Sequence, residues 1–269
     1  MRLQLRDSII ATVAYADVFD FPMTRQELRK WLLFFTSKAL VYPRDLEYAG
    51  SSLVLSGRKY LVSLRTRRSS LLREKWQIAT RAAGVLRCIP TIGLVGVTGG
   101  LAMNNVKHED DIDLFFIVAS GSLWVSRLLA TILMNFLGRR HPGDRQVTNK
   151  VCLNMFMTED AVAVVSSERD CFSAHEVLQM EPLWERGGIY RKFLRANQWV
   201  KRFLPNAWEE KYQASSIKYK GRRGYIIFSL LRNTSFLILR LFEPLARFIQ
   251  LQYMKHRRTN EIISDTVLR

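Results

Sequence analysis

Carboxylates are scarce in this chain: 24 Asp and Glu stand against 41 Lys and Arg over 269 residues, a formal net charge of +17. An imbalance of this sign attracts polyanions rather than repelling them. Cysteine is scarcer still. Cys88, Cys152 and Cys171 are odd in number and share no C-x-x-C spacing. That excludes a disulfide framework and a cysteine-rich zinc site, and it makes a reducing, cytoplasmic compartment the expected location. The four histidines are scattered and form no ligand pair. There is no run of about 18 uncharged apolar residues, so no membrane span is expected. Internal repeats and low-complexity tracts are lacking too, and the hydrophobic content of 48% excludes wholesale disorder.

The charge is unevenly placed. Residues 1–90 carry 16 basic and 7 acidic side chains, residues 91–185 carry 7 and 12, and residues 186–269 carry 18 and 5. Two basic flanks bracket an acidic centre, a pattern suited to a metal-holding middle between phosphate-attracting surfaces, and equally to a solubilising face. At the start, Arg2 and Arg6 precede a short apolar run and then Ala14-Tyr15-Ala16, which imitates a secretory leader. The run is brief, Asp7 opens it, and Asp17 and Asp20 continue a helical pattern, so the segment reads as a helix of the fold.

Ile9, Ile10, Val13, Ala14, Val18 and Phe19 recur at helical spacing over residues 6–20. Phe21-Pro22-Met23 breaks that helix. Thr24 with Glu27 three residues on forms a capping box before Leu28, Trp31, Leu32 and Phe35. Ser52–Leu55, a turn at Ser56-Gly57-Arg58, and Lys59–Val62 read as a hairpin. Helices followed by a hairpin in a basic segment predict a winged-helix-like module over residues 1–66, suited to nucleic acid or to protein contact. A helical connector follows over 67–90. Residues 91–165 predict a core with strands at Gly93–Val97, Asp113–Val118 and Val151–Met157, and a helix from Trp124 to Leu137. Residues 166–269 read as a basic helical region.

The informative stretch runs from Val95 through Thr98, Gly99 and Gly100 to Asp110-Asp111-Ile112-Asp113-Leu114. Residues two apart in a strand point the same way, so Asp111 and Asp113 converge while Ile112 and Leu114 face the core. Two carboxylates sharing a site repel unless a cation neutralises them, which makes Mg²⁺ or Mn²⁺ the natural occupant. The Gly99-Gly100 turn lets backbone N–H groups approach a triphosphate at a helix start, with Thr98 beside it. An Asp-x-Asp alone also occurs as a solvated strand edge; the glycine turn at this distance gives it the context a metal site requires. Lys150 is either a phosphate contact or a solvated lysine. His175 beside Glu176 reads as a cap or core histidine, because neighbours on a helix point to different sides.

A hydrophobic strand, Gly-Gly, a short helix and then Asp-hydrophobic-Asp resembles the DNA polymerase β nucleotidyltransferase superfamily. Phe19-Asp20-Phe21-Pro22-Met23-Thr24, Thr98–Ala102, Lys150–Asn154, Ala174-His175-Glu176 and Arg257-Arg258-Thr259 are similar to bacterial proteins described only as nucleotidyltransferase-domain proteins. The narrower resemblance covers most of the chain and the superfamily motif its middle. The fold it implies is α+β, with a nucleotidyltransferase-type mixed-sheet core between the winged-helix-like module and the helical C-terminal region. The implied activity is transfer of a nucleoside monophosphate from an NTP to a hydroxyl acceptor, with Asp111 and Asp113 holding Mg²⁺ or Mn²⁺ and Thr98, Gly99 and Gly100 at the nucleotide. Family members place a third carboxylate on a later strand. The corresponding residue here is expected to be Asn154, with Glu159, Asp160 and Asp170 as substitutes. An amide at that place suits a second reading, a non-catalytic nucleotide sensor that holds nucleic acid through its basic flanks.

From Tyr225 on, apolar residues including Ile227, Leu230, Phe236, Phe242 and Leu245 alternate with Arg232, Arg240 and Arg247. That predicts one amphipathic basic helix, or two broken at Glu243-Pro244. It packs on the core or, over residues 225–258, lies on an anionic membrane surface.

Overall fold

The computed structural model describes residues 4–35, 43, 46–141, 143–220 (216–220 as backbone only), 238–255, 264 and 266–268. Residues 225–237 and 256–259 of the expected amphipathic segment and basic tail lie outside these.

Helix α1 (Leu5–Asp17) buries Ile9, Val13 and Ala16 on one face. After the Phe21-Pro22 break come β1 (Met23–Thr24) and α2 (Arg25–Lys30). The capping box forms: Thr24 Oγ1 accepts the Glu27 N–H at 3.2 Å, and the Glu27 carboxylate accepts the Thr24 N–H at 2.8 Å. Strands β2 (Leu46–Ala49) and β3 (Ser52–Leu55) complete a three-stranded antiparallel sheet in the order β1-β3-β2. The expected hairpin is thus displaced by one arm. Its turn lies at Gly50, with φ +60°, and residues 60–62 open helix α3 (Tyr60–Leu86) instead of forming a strand. Gly57, with φ +80°, ends the strand rather than reversing it. The 27-residue helix wins that segment because Leu61, Arg68, Lys75, Ala79, Ala82 and Leu86 all fall on one buried stripe.

The central sheet contains β4 (Ile92–Val97), β5 (Ile112–Val118), β6 (Val151–Thr158), β7 (Glu181–Glu185) and β8 (Val267–Leu268), in the order β7-β4-β5-β6-β8. Among the described strands β5 and β6 run parallel and the other pairs are antiparallel, so the sheet is mixed and the fold is α+β. β7 and β8 were not expected. β7 is half-buried along its whole length and carries Pro182, which leaves no alternating pattern to read. Helices α4 (Gly99–Ala102), α5 (Leu123–Asn135), α6 (Cys171–Gln179), α7 (Ile189–Ala196), α8 (Pro205–Lys220) and α9 (Glu243–Lys255) cover the two faces.

One face of the sheet packs Val95, Val97, Ile112, Leu114, Phe116 and Val118 against α3, α5 and Ala246 of α9. The other packs Leu94, Phe115, Ile117 and Met157 against α6, α7 and α8, and the same apolar cluster continues into Ile9, Leu28, Leu32 and Leu53. The N-terminal elements and the core therefore share one interior. α9 docks on α5, where the Glu243 carboxylate accepts the Trp124 and Val125 N–H groups, both at 2.8 Å, and Gln250 donates to the Trp124 carbonyl at 2.7 Å. Among the described residues no helix is long and apolar enough to cross a membrane.

Candidate metal centre

β4 delivers the chain to Thr98, whose N–H donates to the Asp113 carbonyl at 3.0 Å. Gly99 then adopts φ +63°, and a Cβ built there would stand 2.8 Å from Asp113 Oδ2. Both the left-handed backbone and the close carboxylate require glycine. α4 is a single turn of four residues, so the expected helix-end field is small and the backbone of the turn is what faces the site. The loop that follows is pinned from beneath by Lys75 of α3. That side chain is 1% exposed and donates to the Asp110 carbonyl at 2.5 Å and the His108 carbonyl at 3.4 Å. Burial pulls the Lys75 ammonium below its ordinary range, against the pull of Asp110, Glu74, Asp111 and Glu109.

Asp111 and Asp113 sit at the entrance to β5, both half-buried, with Ile112 and Leu114 turned into the opposite core. Asp111 Oδ2 accepts from the Arg140 guanidinium at 2.7 Å. Arg140 is held there by its own backbone, whose N–H donates to the Val151 carbonyl at 2.8 Å. Across the parallel pair, Asp113 is in register with Cys152, and the Cys152 thiol donates to the Asp113 carboxylate. One donor atom from each of Asp111, Asp113 and Cys152 lies within 4.8 Å of the others. Burial, and then the Asp111 charge, push the Asp113 carboxyl up to about 6. Burial, then Asp113 and Asp111, push the Cys152 thiol up to about 12.

The carboxylates open on a cavity of about 220 Å³ lined by Thr98, Gly100, Leu101, Asp110, Asp111 and Asp113. Thr98 is 8% exposed, and its Oγ1 has no hydrogen-bond partner. A buried hydroxyl in that condition is rare and costly unless something outside the protein satisfies it.

The remaining expected residues are placed elsewhere. β6 carries an extra residue at the register slip after Leu114, and Asn154 falls in that slip, exposed and outside the donor cluster. Glu159 and Asp160 follow the far end of β6, about 20 Å along the strand from Cys152. Asp170 caps α6, accepting the Ser173 N–H at 2.7 Å. Lys150 pairs with Asp144 at 2.8 Å. His175 is a core histidine, 3% exposed, stacked on Tyr15 at 4.0 Å and on Trp31 at 5.7 Å, with Nδ1 donating to the Cys171 carbonyl at 2.8 Å. Burial pulls it down to about 4. Its neighbour Glu176 is half-buried, and its charge is among the lesser influences that raise the Asp113 carboxyl. Cys152 and Arg140 were missed in the sequence as members of this site. Cys152 had one local signal, its place near the start of a strand expected to lie beside the acidic pair.

No family model matches the chain, and no curated protein or solved structure matches it.

Proposed function

We propose that the protein is a divalent-metal-dependent nucleotidyltransferase of the cytoplasm, using Mg²⁺ or Mn²⁺ to move a nucleoside monophosphate from an NTP to a hydroxyl acceptor. The observation that carries this reading is the convergence of the Asp111, Asp113 and Cys152 donor atoms beside a cavity that also holds the orphaned Thr98 hydroxyl. The donor set suits a cation, because two carboxylates held this close repel one another without one. Asp111 and Asp113 would hold the metal, which supplies neutralisation and polarisation of phosphate oxygens when bound. Thr98 and the Gly100 backbone would orient a phosphate, a role supported by their both lining the cavity. Arg140 offers a second positive group within reach of Asp111. The mixed-sheet core and the helix–strand–helix–hairpin order of residues 5–55 agree with a nucleotidyltransferase core and a winged-helix-like module. The two basic flanks suit a nucleic-acid partner.

A second reading has its own support: the donor cluster holds two carboxylates and a thiol, with no third carboxylate among the described residues. Without a basic group at the acceptor, the site suits a nucleotide sensor. Calorimetry of NTP binding with Mg²⁺ or Mn²⁺ tests what both readings share. The Asp111→Asn, Asp113→Asn double variant should keep its circular dichroism spectrum and lose metal-dependent binding by at least about tenfold. Equal affinity in the variant overturns the site. Labelled NTP incubated with RNA, DNA or protein acceptors then separates the two, because only the transferase yields a labelled acceptor.

A further inference from the structure

We infer that Cys152 is itself a metal ligand, and that the centre therefore selects a thiophilic divalent cation, of the Zn²⁺ and Co²⁺ class, over Mg²⁺. The inference rests on the metal-site reading above, keeps its donor set, and departs from it in the cation, placing a thiophilic ion where Mg²⁺ or Mn²⁺ was proposed.

Three features place the sulfur in the centre. Cys152 is the residue in register with Asp113 across the parallel β5–β6 pair, so the two side chains leave adjacent strands side by side. Its Sγ lies within 4.8 Å of an oxygen of each aspartate. No third carboxylate joins the cluster among the described residues. An independent observation points to a ligand in the cavity that Asp111 and Asp113 line: the Thr98 side chain, nine-tenths buried in its wall, carries a hydroxyl with no partner.

The donor chemistry then decides which cation suits. Mg²⁺ asks for a near-octahedral shell of oxygens and discriminates against sulfur. A thiolate with two carboxylates suits borderline ions, which bind sulfur at about 2.3 Å and carboxylate oxygen at about 2.0–2.2 Å. Those bond lengths put donors in a tetrahedral shell roughly 3.5 Å apart, which donors already within 4.8 Å of one another can reach by side-chain rotation. Charge closes as well. Two carboxylates and a thiolate carry three negative charges, matched by a divalent ion and the Arg140 guanidinium on Asp111. On binding, the S–H bond breaks, sulfur donates its electron pair to the metal, and the proton leaves to buffer. Three protein donors would leave such an ion able to take a water or a phosphate oxygen as well.

Cobalt titration of the full chain without nucleotide tests this. The expected result is a near-ultraviolet thiolate-to-cobalt band that saturates near one equivalent. The band should disappear in Cys152→Ser and in the Asp111→Asn, Asp113→Asn variant, each with an unchanged circular dichroism spectrum. Zn²⁺ should displace Co²⁺ at stoichiometric amounts, while about a hundredfold excess of Mg²⁺ should not. Cys152→Asp, which turns the set into three carboxylates, should remove the band and let Mg²⁺ compete. A visible cobalt spectrum that needs the aspartates, lacks the thiolate band and survives Cys152→Ser overturns the inference and leaves a carboxylate metal site standing. A band that persists in Cys152→Ser belongs to Cys88 or Cys171 and overturns it too. The absence of any cobalt signal overturns both this inference and the metal-site reading.

Discussion

Along β5, the side chains facing α3 and α5 are Ile112, Leu114, Phe116 and Val118, and each is fully buried. Those facing the other way are Asp113, Phe115 and Ile117, preceded by Asp111, so that face is apolar at one end and acidic at the other. The same seven residues thus build an uninterrupted core on one side and, on the other, a core that stops at a polar cavity. The strand period of two makes this partition natural: every position assigned to the site is one the opposite core never uses. Packing and chemistry can then be perturbed separately, even though they alternate residue by residue.

The largest expected effect lies on the apolar face. Phe116 is fully buried and stacked on Phe156 at 4.3 Å. Phe116→Ala should cost about 3–5 kcal/mol in urea unfolding, while the metal affinity of the folded fraction stays unchanged. A metal affinity that falls with the stability would show the two faces to be coupled. The next effect lies where the mixed face meets the N-terminal elements, at the His175 stack. His175 titrates near 4 in the fold, against 6.5 when free. The unfolded chain therefore binds the extra proton first as pH falls. The stability conferred by neutral His175 is complete above pH 6.5 and lost progressively down to about pH 4, roughly 3 kcal/mol in all. Urea midpoints against pH should show that slope, and His175→Phe should flatten it; an unchanged slope would assign it to other groups. The smallest effect is at the site turn. Gly99→Ala should destabilise by about 1–2 kcal/mol through its left-handed backbone. It should also weaken metal binding by at least about tenfold, because the new methyl displaces the Asp113 carboxylate. Unaltered metal binding there would mean that Asp113 has room to move.

What could be read before the structure was local. The three central strands, the Thr24–Glu27 box and the shared side of Asp111 and Asp113 follow from period, capping chemistry and strand geometry, all set within a few residues. What was misread depends on partners far along the chain. Gly50 and Gly57 are both turn glycines with positive φ, and which of them reverses the hairpin is decided by β3 pairing with Met23–Thr24 and by the buried stripe of α3. β7 has no alternation because it is an edge strand with a proline, held to β4 through one neighbour. Asn154 was the expected partner of the acidic pair, whereas the register of β5 on β6, including its slip after Leu114, puts Cys152 opposite Asp113. No spacing rule within residues 151–158 reveals that slip, since it arises from how two strands some forty residues apart meet.

Helix α3 is a rod of about 40 Å at 1.5 Å per residue. Near its start, Arg65 grips the Glu27 carboxylate and Arg68 reaches Asn105 Oδ1 at 2.7 Å. Ten residues after Arg65, Lys75 holds the carbonyls of the loop that leads into Asp111. Mechanically this is a lever: a tilt of about 5° pivoting at Arg65 moves the Lys75 end by a little over 1 Å, given about 15 Å of helix between them. One helix thus ties the small N-terminal sheet's neighbour Glu27 at one end and, through one buried ammonium, the mouth of the cavity further along.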